Sequence, residues 1–136
     1  MGRKTVKITP DTNILVRALV EDDPKQSRLA EAILERAEVV ALTPSALCEA
    51  VWVLSRGYKI ESEEIADRIL RMTTSANVVA NRAAVDAGLQ MIADGGDFAD
   101  GVIAYEGRWL GGETFVTFDK RAASILAAQG KRVHIP

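Results

Sequence analysis

Five acids stand out by type and position: Asp11 in Pro10-Asp-Thr-Asn13, Glu49, the pair in Asp97-Phe-Ala-Asp100, and Asp119 in Thr117-Phe-Asp-Lys120. Each falls near the start of a predicted helix or the end of an apolar run. Carboxylates at the carboxyl ends of parallel strands converge in the crevice where open α/β sheets bind ligands. A cluster of that sign repels itself unless a hard cation with a preference for oxygen donors neutralises it. The chemistry these residues point to is a carboxylate-lined site for a divalent metal.

Taken singly, each acid has a simpler explanation. Asp11 and Asp119 sit at strand-to-helix turns, where Asp is a common helix cap. Glu49 lies in the first half of a helix, where its charge suits the dipole. Asp97 and Asp100 are spaced i, i+3, on one face of a helix start, which also fits a variant of the capping box. Gly101, next to the pair, leaves room for a close approach of backbone or ligand. Independent caps, however, have no reason to recur at successive junctions in the arrangement a metal site requires.

The elements that must position these acids alternate between strand and helix. Val6–Thr9 reads as a short strand, 13–20 as one or two helical turns, and 24–37 as an amphipathic helix carrying Leu29, Ile33 and Leu34. Val39–Leu42 reads as a buried strand. Thr43 and Pro44 then open a helix to about Ser55, which Gly57 ends. On that helix Leu47, Ala50, Val51 and Leu54 form the core stripe, and Glu49 lies off it beside Trp52 and Val53. A helix over 62–72, a strand over 78–80, and helices over 83–92 and 97–109 follow, the last after the Gly95-Gly96 break. A strand over 114–117, a helix over 120–129 and a terminal strand over 132–135 complete the chain. Such alternation predicts a mostly parallel sheet covered by helices.

With 136 residues, 48% of them hydrophobic and 26% charged, the chain fits one soluble domain spanning 1–136. No apolar run approaches the roughly 20 residues that a membrane helix needs, and the basic start Met-Gly-Arg-Lys leads into no signal-peptide core. A cytoplasmic protein is expected. A single cysteine, Cys48, excludes an internal disulfide and any cysteine-built zinc site. Cys48 sits in an apolar helix and the only histidine, His134, near the end of the chain, so a nucleophile–base pair is not expected. Trp52 and Trp109 read as packing. Phosphate-binding glycine loops are absent from the sequence. The net charge of −2 does not advertise nucleic-acid binding, although a local basic patch is compatible with it. Lys120, Arg121, Arg56 and Lys59 are the candidate phosphate contacts.

The order Asp-Thr-Asn after the first strand, Glu in the helix after the second, Asp97-Phe-Ala-Asp-Gly-Val-Ile-Ala104, then Thr-Phe-Asp-Lys resembles the PIN domain, and within it the VapC-type toxins. The resemblance runs from Lys4 to the terminal strand. It implies a three-layer α/β/α sandwich with a mostly parallel central sheet of about five strands. It further implies Asp11, Glu49, Asp100 and Asp119 as an acidic quartet around Mg²⁺ or Mn²⁺, and Asp97 as an additional acid one turn earlier. Asn13 matches a polar position that orients the first Asp, and Ser45 lies near a position often held by a hydroxyl residue. The activity implied is hydrolysis of RNA phosphodiester bonds by a homodimeric endoribonuclease, held inactive by a cognate antitoxin.

Two other classes share part of the pattern. A phosphoryl-transfer or receiver-like domain also sets Asp residues at strand ends around Mg²⁺, but it needs an isolated phosphoacceptor Asp, whereas here the second acid is a Glu within a helix. A catalytically silent module that binds RNA or a partner is disfavoured by the presence of all four acids.

Overall fold

The computed structural model describes residues 6–136, so Lys4 and the basic start lie outside the described residues. The chain folds into two compact units, the first ending at Asn81 and the second beginning at Arg82.

The first unit contains β1 (Lys7–Ile8), α1 (Thr12–Leu19), α2 (Pro24–Arg36), β2 (Val39–Leu42), α3 (Pro44–Trp52), a π-helical turn (Val53–Gly57), α4 (Ser62–Thr73) and β3 (Val78–Ala80). Its strands pair in parallel in the order β1-β2-β3, with Ile8 opposite Val40 and Leu42 opposite Ala80. Parallel neighbours require helical crossovers, which α1–α2 and α3–α4 supply. Local chemistry sets the helix starts. The Asp23 carboxylate accepts from the Gln26 amide at 3.1 Å and the Thr43 hydroxyl from the Ala46 amide at 3.1 Å, and each cap precedes a proline whose missing N–H costs the first turn nothing. Leu15, Val40, Leu42, Leu47, Leu54, Ile65 and Ile69 are buried.

The second unit contains α5 (Arg82–Ala93), α6 (Phe98–Trp109), β4 (Thr114–Val116), α7 (Lys120–Ala128) and β5 (Arg132–His134). The α5 and α6 helices form a tight hairpin around Gly95 (φ +90°) and Gly96. Where the helices meet, a Cβ on Gly88 would lie 2.5 Å from the Phe98 ring, and one on Gly101 only 2.2 Å from the Ala87 carbonyl oxygen. The space beside Gly101 is therefore filled by the backbone of α5. β4 and β5 pair in parallel, with Phe115 opposite Val133, and α7 connects them.

The α/β class and the parallel pairing are as expected. Five strands are present, their hydrogen bonds forming one ladder of three and one of two among the described residues. Three details differ from the sequence reading. Leu29 and Ile33 are 56% and 47% exposed, and α2 instead buries Ser27 and Ala30, because small residues let it approach its neighbours closely. Trp52 and Trp109 are 62% and 75% exposed and so are not packing residues. The helix that Thr43 opens ends at Gly57 as expected, but past Trp52 it widens into a π turn, the Tyr58 amide reaches back to the Val53 carbonyl, and Lys59, not the glycine, takes the left-handed conformation (φ +54°) that reverses the chain. None of the described helices is long and apolar enough to cross a membrane.

Candidate functional site

In the first unit, Asp11 follows β1 through Thr9 and the buried Pro10. It is the N-cap of α1, with Oδ1 accepting from the Ile14 amide at 3.0 Å. The next residue, Thr12, donates its hydroxyl to Glu49 Oε1 on α3 at 2.9 Å. That bond spans α1 and α3, which pack together, and ties the Asp-Thr-Asn turn to the acid of the second strand-to-helix crossover. Glu49 is exposed, because the core stripe of α3 takes Leu47, Ala50, Val51 and Leu54. Asn13 is exposed on α1 and Ser45 on α3; among the described residues, Asn13 makes no hydrogen bond to Asp11, whose cap partner is main chain.

In the second unit the acids at the start of α6 are not a capping box. Asp97 occupies the N-cap position, yet its side chain makes no capping hydrogen bond, and only its carbonyl accepts, from the Asp100 amide at 3.1 Å. Both carboxylates are thereby released from the helix end. Asp119 is an N-cap in full, its Oδ1 accepting from the Arg121 amide at 2.9 Å and the Ala122 amide at 3.1 Å. Its own amide donates to the Thr117 hydroxyl at 2.9 Å, so Thr-Phe-Asp forms a closed turn with the carboxylate held at the helix start.

Asp100 is the electrostatic centre of this group. Burial raises its carboxyl above the ordinary carboxylate range, and the charges of Asp97 and Asp119 raise it further. All three influences oppose ionisation, as happens when carboxylates share one locality with no counter-charge. A cation bound there would offset all three by favouring the ionised carboxylates. The donors are carboxylate oxygens, the hard ligands that suit Mg²⁺ or Mn²⁺ over softer metals. Among the described residues, no three or more Asp, Glu, His or Cys side chains already stand close enough to hold a metal ion together. Asp97, Asp100 and Asp119 interact electrostatically, and Glu49 is joined to the Asp11 turn through Thr12.

Other candidates fall elsewhere. Lys120 and Arg121 are exposed at the start of α7, and Arg56 and Lys59 are exposed around the π turn. Cys48 is half-buried on α3, and His134 is exposed on β5. A hollow of about 440 Å³ in the first unit is lined by Ala18, Leu34, Val40, Leu42, Met72 and Val78, and no candidate acid lines it. Two features went unread in the sequence: the role of Thr12 in holding Glu49, and the exposure of Trp52 one turn further along α3. The second was detectable, since Trp52 lies off the Leu47–Ala50–Val51–Leu54 stripe in the same direction as Glu49.

Set against known proteins, the chain matches the family model described as PIN domain over residues 8–127, from β1 into α7. A comparison with curated proteins returns no match.

Proposed function

From the premise that this chain belongs to the PIN domain family, whose members are generally nucleases, we propose that it is a divalent-metal-dependent endoribonuclease hydrolysing RNA phosphodiester bonds. The observation that carries this reading is the frustrated Asp100, whose ionisation burial, Asp97 and Asp119 all oppose. Such an arrangement costs stability unless a cation occupies it, and functional sites are where costs of this kind persist.

On this reading Asp11, Glu49, Asp100 and Asp119 hold Mg²⁺ or Mn²⁺, and Asp97 assists from one turn earlier. When bound, the cation supplies charge neutralisation at the phosphate and a lowered pKa for the attacking water. The chain's own residues do the positioning. Thr12 fixes the Glu49 carboxylate, the Asp11 and Asp119 caps fix one oxygen of each acid, and Lys120 and Arg121 meet substrate phosphates. The wider role we propose is that of the toxin of a VapBC pair: a cytoplasmic homodimer with a single PIN-like domain per chain, neutralised by a cognate antitoxin.

The test is cleavage of a cellular RNA pool by the purified protein with Mg²⁺ or Mn²⁺, with chelator, and with a folded Asp11→Asn variant. Discrete products that vanish with chelator and with the substitution support the nuclease. Equal cleavage by Asp11→Asn, or none by folded wild type, overturns it and favours the phosphoryl-transfer or silent-module alternatives. Growth arrest on induction, relieved by an adjacent small gene, tests the toxin role.

A further inference from the structure

The buried stripe of α3 fixes the rotation of the helix, so that Ser45, Glu49, Trp52 and Arg56 emerge on the solvent side. Their spacing of four, three and four residues is the helical repeat of a single face. That face presents, in order, a hydroxyl, a candidate metal acid, a large aromatic and a cation. Trp52 is 62% exposed although its burial would contribute as much apolar area as any side chain offers. The helix widens into the π turn directly after it, a distortion that recurs at functional positions.

We propose that Trp52 is a stacking platform for one unpaired nucleotide next to the scissile phosphate; this rests on the ribonuclease reading. The chemistry of this face favours a base over a protein partner. A protein hot spot is an aromatic ringed by further apolar contacts, whereas the exposed neighbours of Trp52 on its helix are Glu49, Ser55 and Arg56. A lone aromatic beside a cation is what single-stranded nucleic acid uses, with the base on the ring and the phosphate on the guanidinium. Trp52 lies three residues beyond Glu49, about 4.5 Å along the helix axis. A base on the indole therefore belongs to a nucleotide flanking the phosphate at Glu49, with Arg56 on the far side for the following phosphate. A paired base cannot offer its face to the ring, so the platform selects unpaired substrate at that position.

The experiment uses the full chain with Trp109→Phe, which leaves Trp52 as the sole indole emitter, in chelator so that no cleavage occurs. Single-stranded oligoadenylate should quench the Trp52 emission, and blunt RNA duplex should not. By anisotropy, Trp52→Ala should weaken oligoadenylate binding roughly 5- to 150-fold, the range for loss of one stacked base. Trp52→Phe should restore most of it, and duplex affinity should stay level. Unchanged emission at saturating oligoadenylate, or wild-type affinity in Trp52→Ala, overturns the platform. If wild type still cleaves the RNA pool with Mg²⁺ in that case, the nuclease stands and only the platform falls. If wild type neither binds nor cleaves RNA, both fall. A change of sedimenting mass in Trp52→Ala would assign the ring to a protein contact and overturn the proposal.

Discussion

The Thr12 hydroxyl donates to Glu49 Oε1 across the contact between α1 and α3, at 2.9 Å. The donor belongs to the first acidic motif and the acceptor to the second, so two elements distant in sequence share one oriented carboxylate. Thr12→Val should leave the fold within about 1 kcal/mol of wild type, as most changes at partly exposed positions do. Cleavage should fall roughly tenfold, corresponding to about 1.4 kcal/mol of lost positioning, and Thr12→Ser should recover it. Parallel melting curves and initial rates decide the matter; a loss of rate matched by a loss of fold would show that Thr12 only supports packing.

Asp100→Asn should stabilise the metal-free protein while abolishing activity. The sign follows from linkage. A carboxyl raised in the folded state binds more protons there than in the unfolded chain, so stability falls as pH rises from the unfolded to the folded value. Removing the ionisable group removes that loss. In chelator, the variant should therefore melt above wild type at neutral pH, and the gap should close below pH about 4, where the carboxyl is protonated in both states. Added Mg²⁺ should raise the wild-type melting temperature by mass action and leave the variant nearly unmoved.

Two glycines of α6 should respond oppositely to alanine. A Cβ at Gly101 would meet the Ala87 carbonyl at 2.2 Å and Met91 Cγ at 2.7 Å, forcing α5 and α6 apart. Overpacking of this kind costs about 1–3 kcal/mol, which the better helix propensity of alanine does not offset. Gly107→Ala meets nothing within 4 Å and should gain about 0.5–1 kcal/mol. Urea unfolding of the two variants, run side by side, gives the comparison.

Tyr58 donates to Asp22 Oδ2 at 2.8 Å while Arg17 holds Oδ1 at 2.9 Å. The Tyr58 bond is the foremost cause of the lowered Asp22 carboxyl. A lowered carboxyl stabilises the fold above its unfolded pKa, and that contribution is lost as pH falls through the folded value. Tyr58→Phe should therefore be less stable than wild type at neutral pH, with the difference shrinking as pH falls through the carboxylate range, read by urea unfolding followed by circular dichroism at several pH values.

The helices and the parallel pairing were legible because each boundary carries local chemistry: Asp23 before Pro24, Thr43 before Pro44, Gly95-Gly96 between α5 and α6. The acids were legible by type and by their place at element junctions. Where long-range packing decides, the sequence misled. Leu29 and Ile33 outrank Ser27 and Ala30 in hydrophobicity, but α2 buries the smaller pair, so of the three apolar residues that marked its inner face only Leu34 turns towards the buried side. Trp52 and Trp109 were assigned inward by residue type alone, although burial depends on which neighbours arrive. The i, i+3 spacing of Asp97 and Asp100 fits a cap and a paired acid equally well, and only the missing side-chain cap bond separates the two.

Asp11 and Asp119 each begin a helix with the same carboxylate that the proposed chemistry requires. Asparagine caps a helix as well as aspartate does, and an Asp codon becomes an Asn codon by a single base change. Inactive descendants of this chain thus lie one mutation away and keep their shape. If the chain is the restrained ribonuclease proposed above, such copies would fold, persist and still occupy the restraining partner, sequestering it without cutting RNA. On that reading, activity can be lost at these two positions without loss of the protein, which makes them the places where a lineage of this chain would first turn from enzyme to decoy.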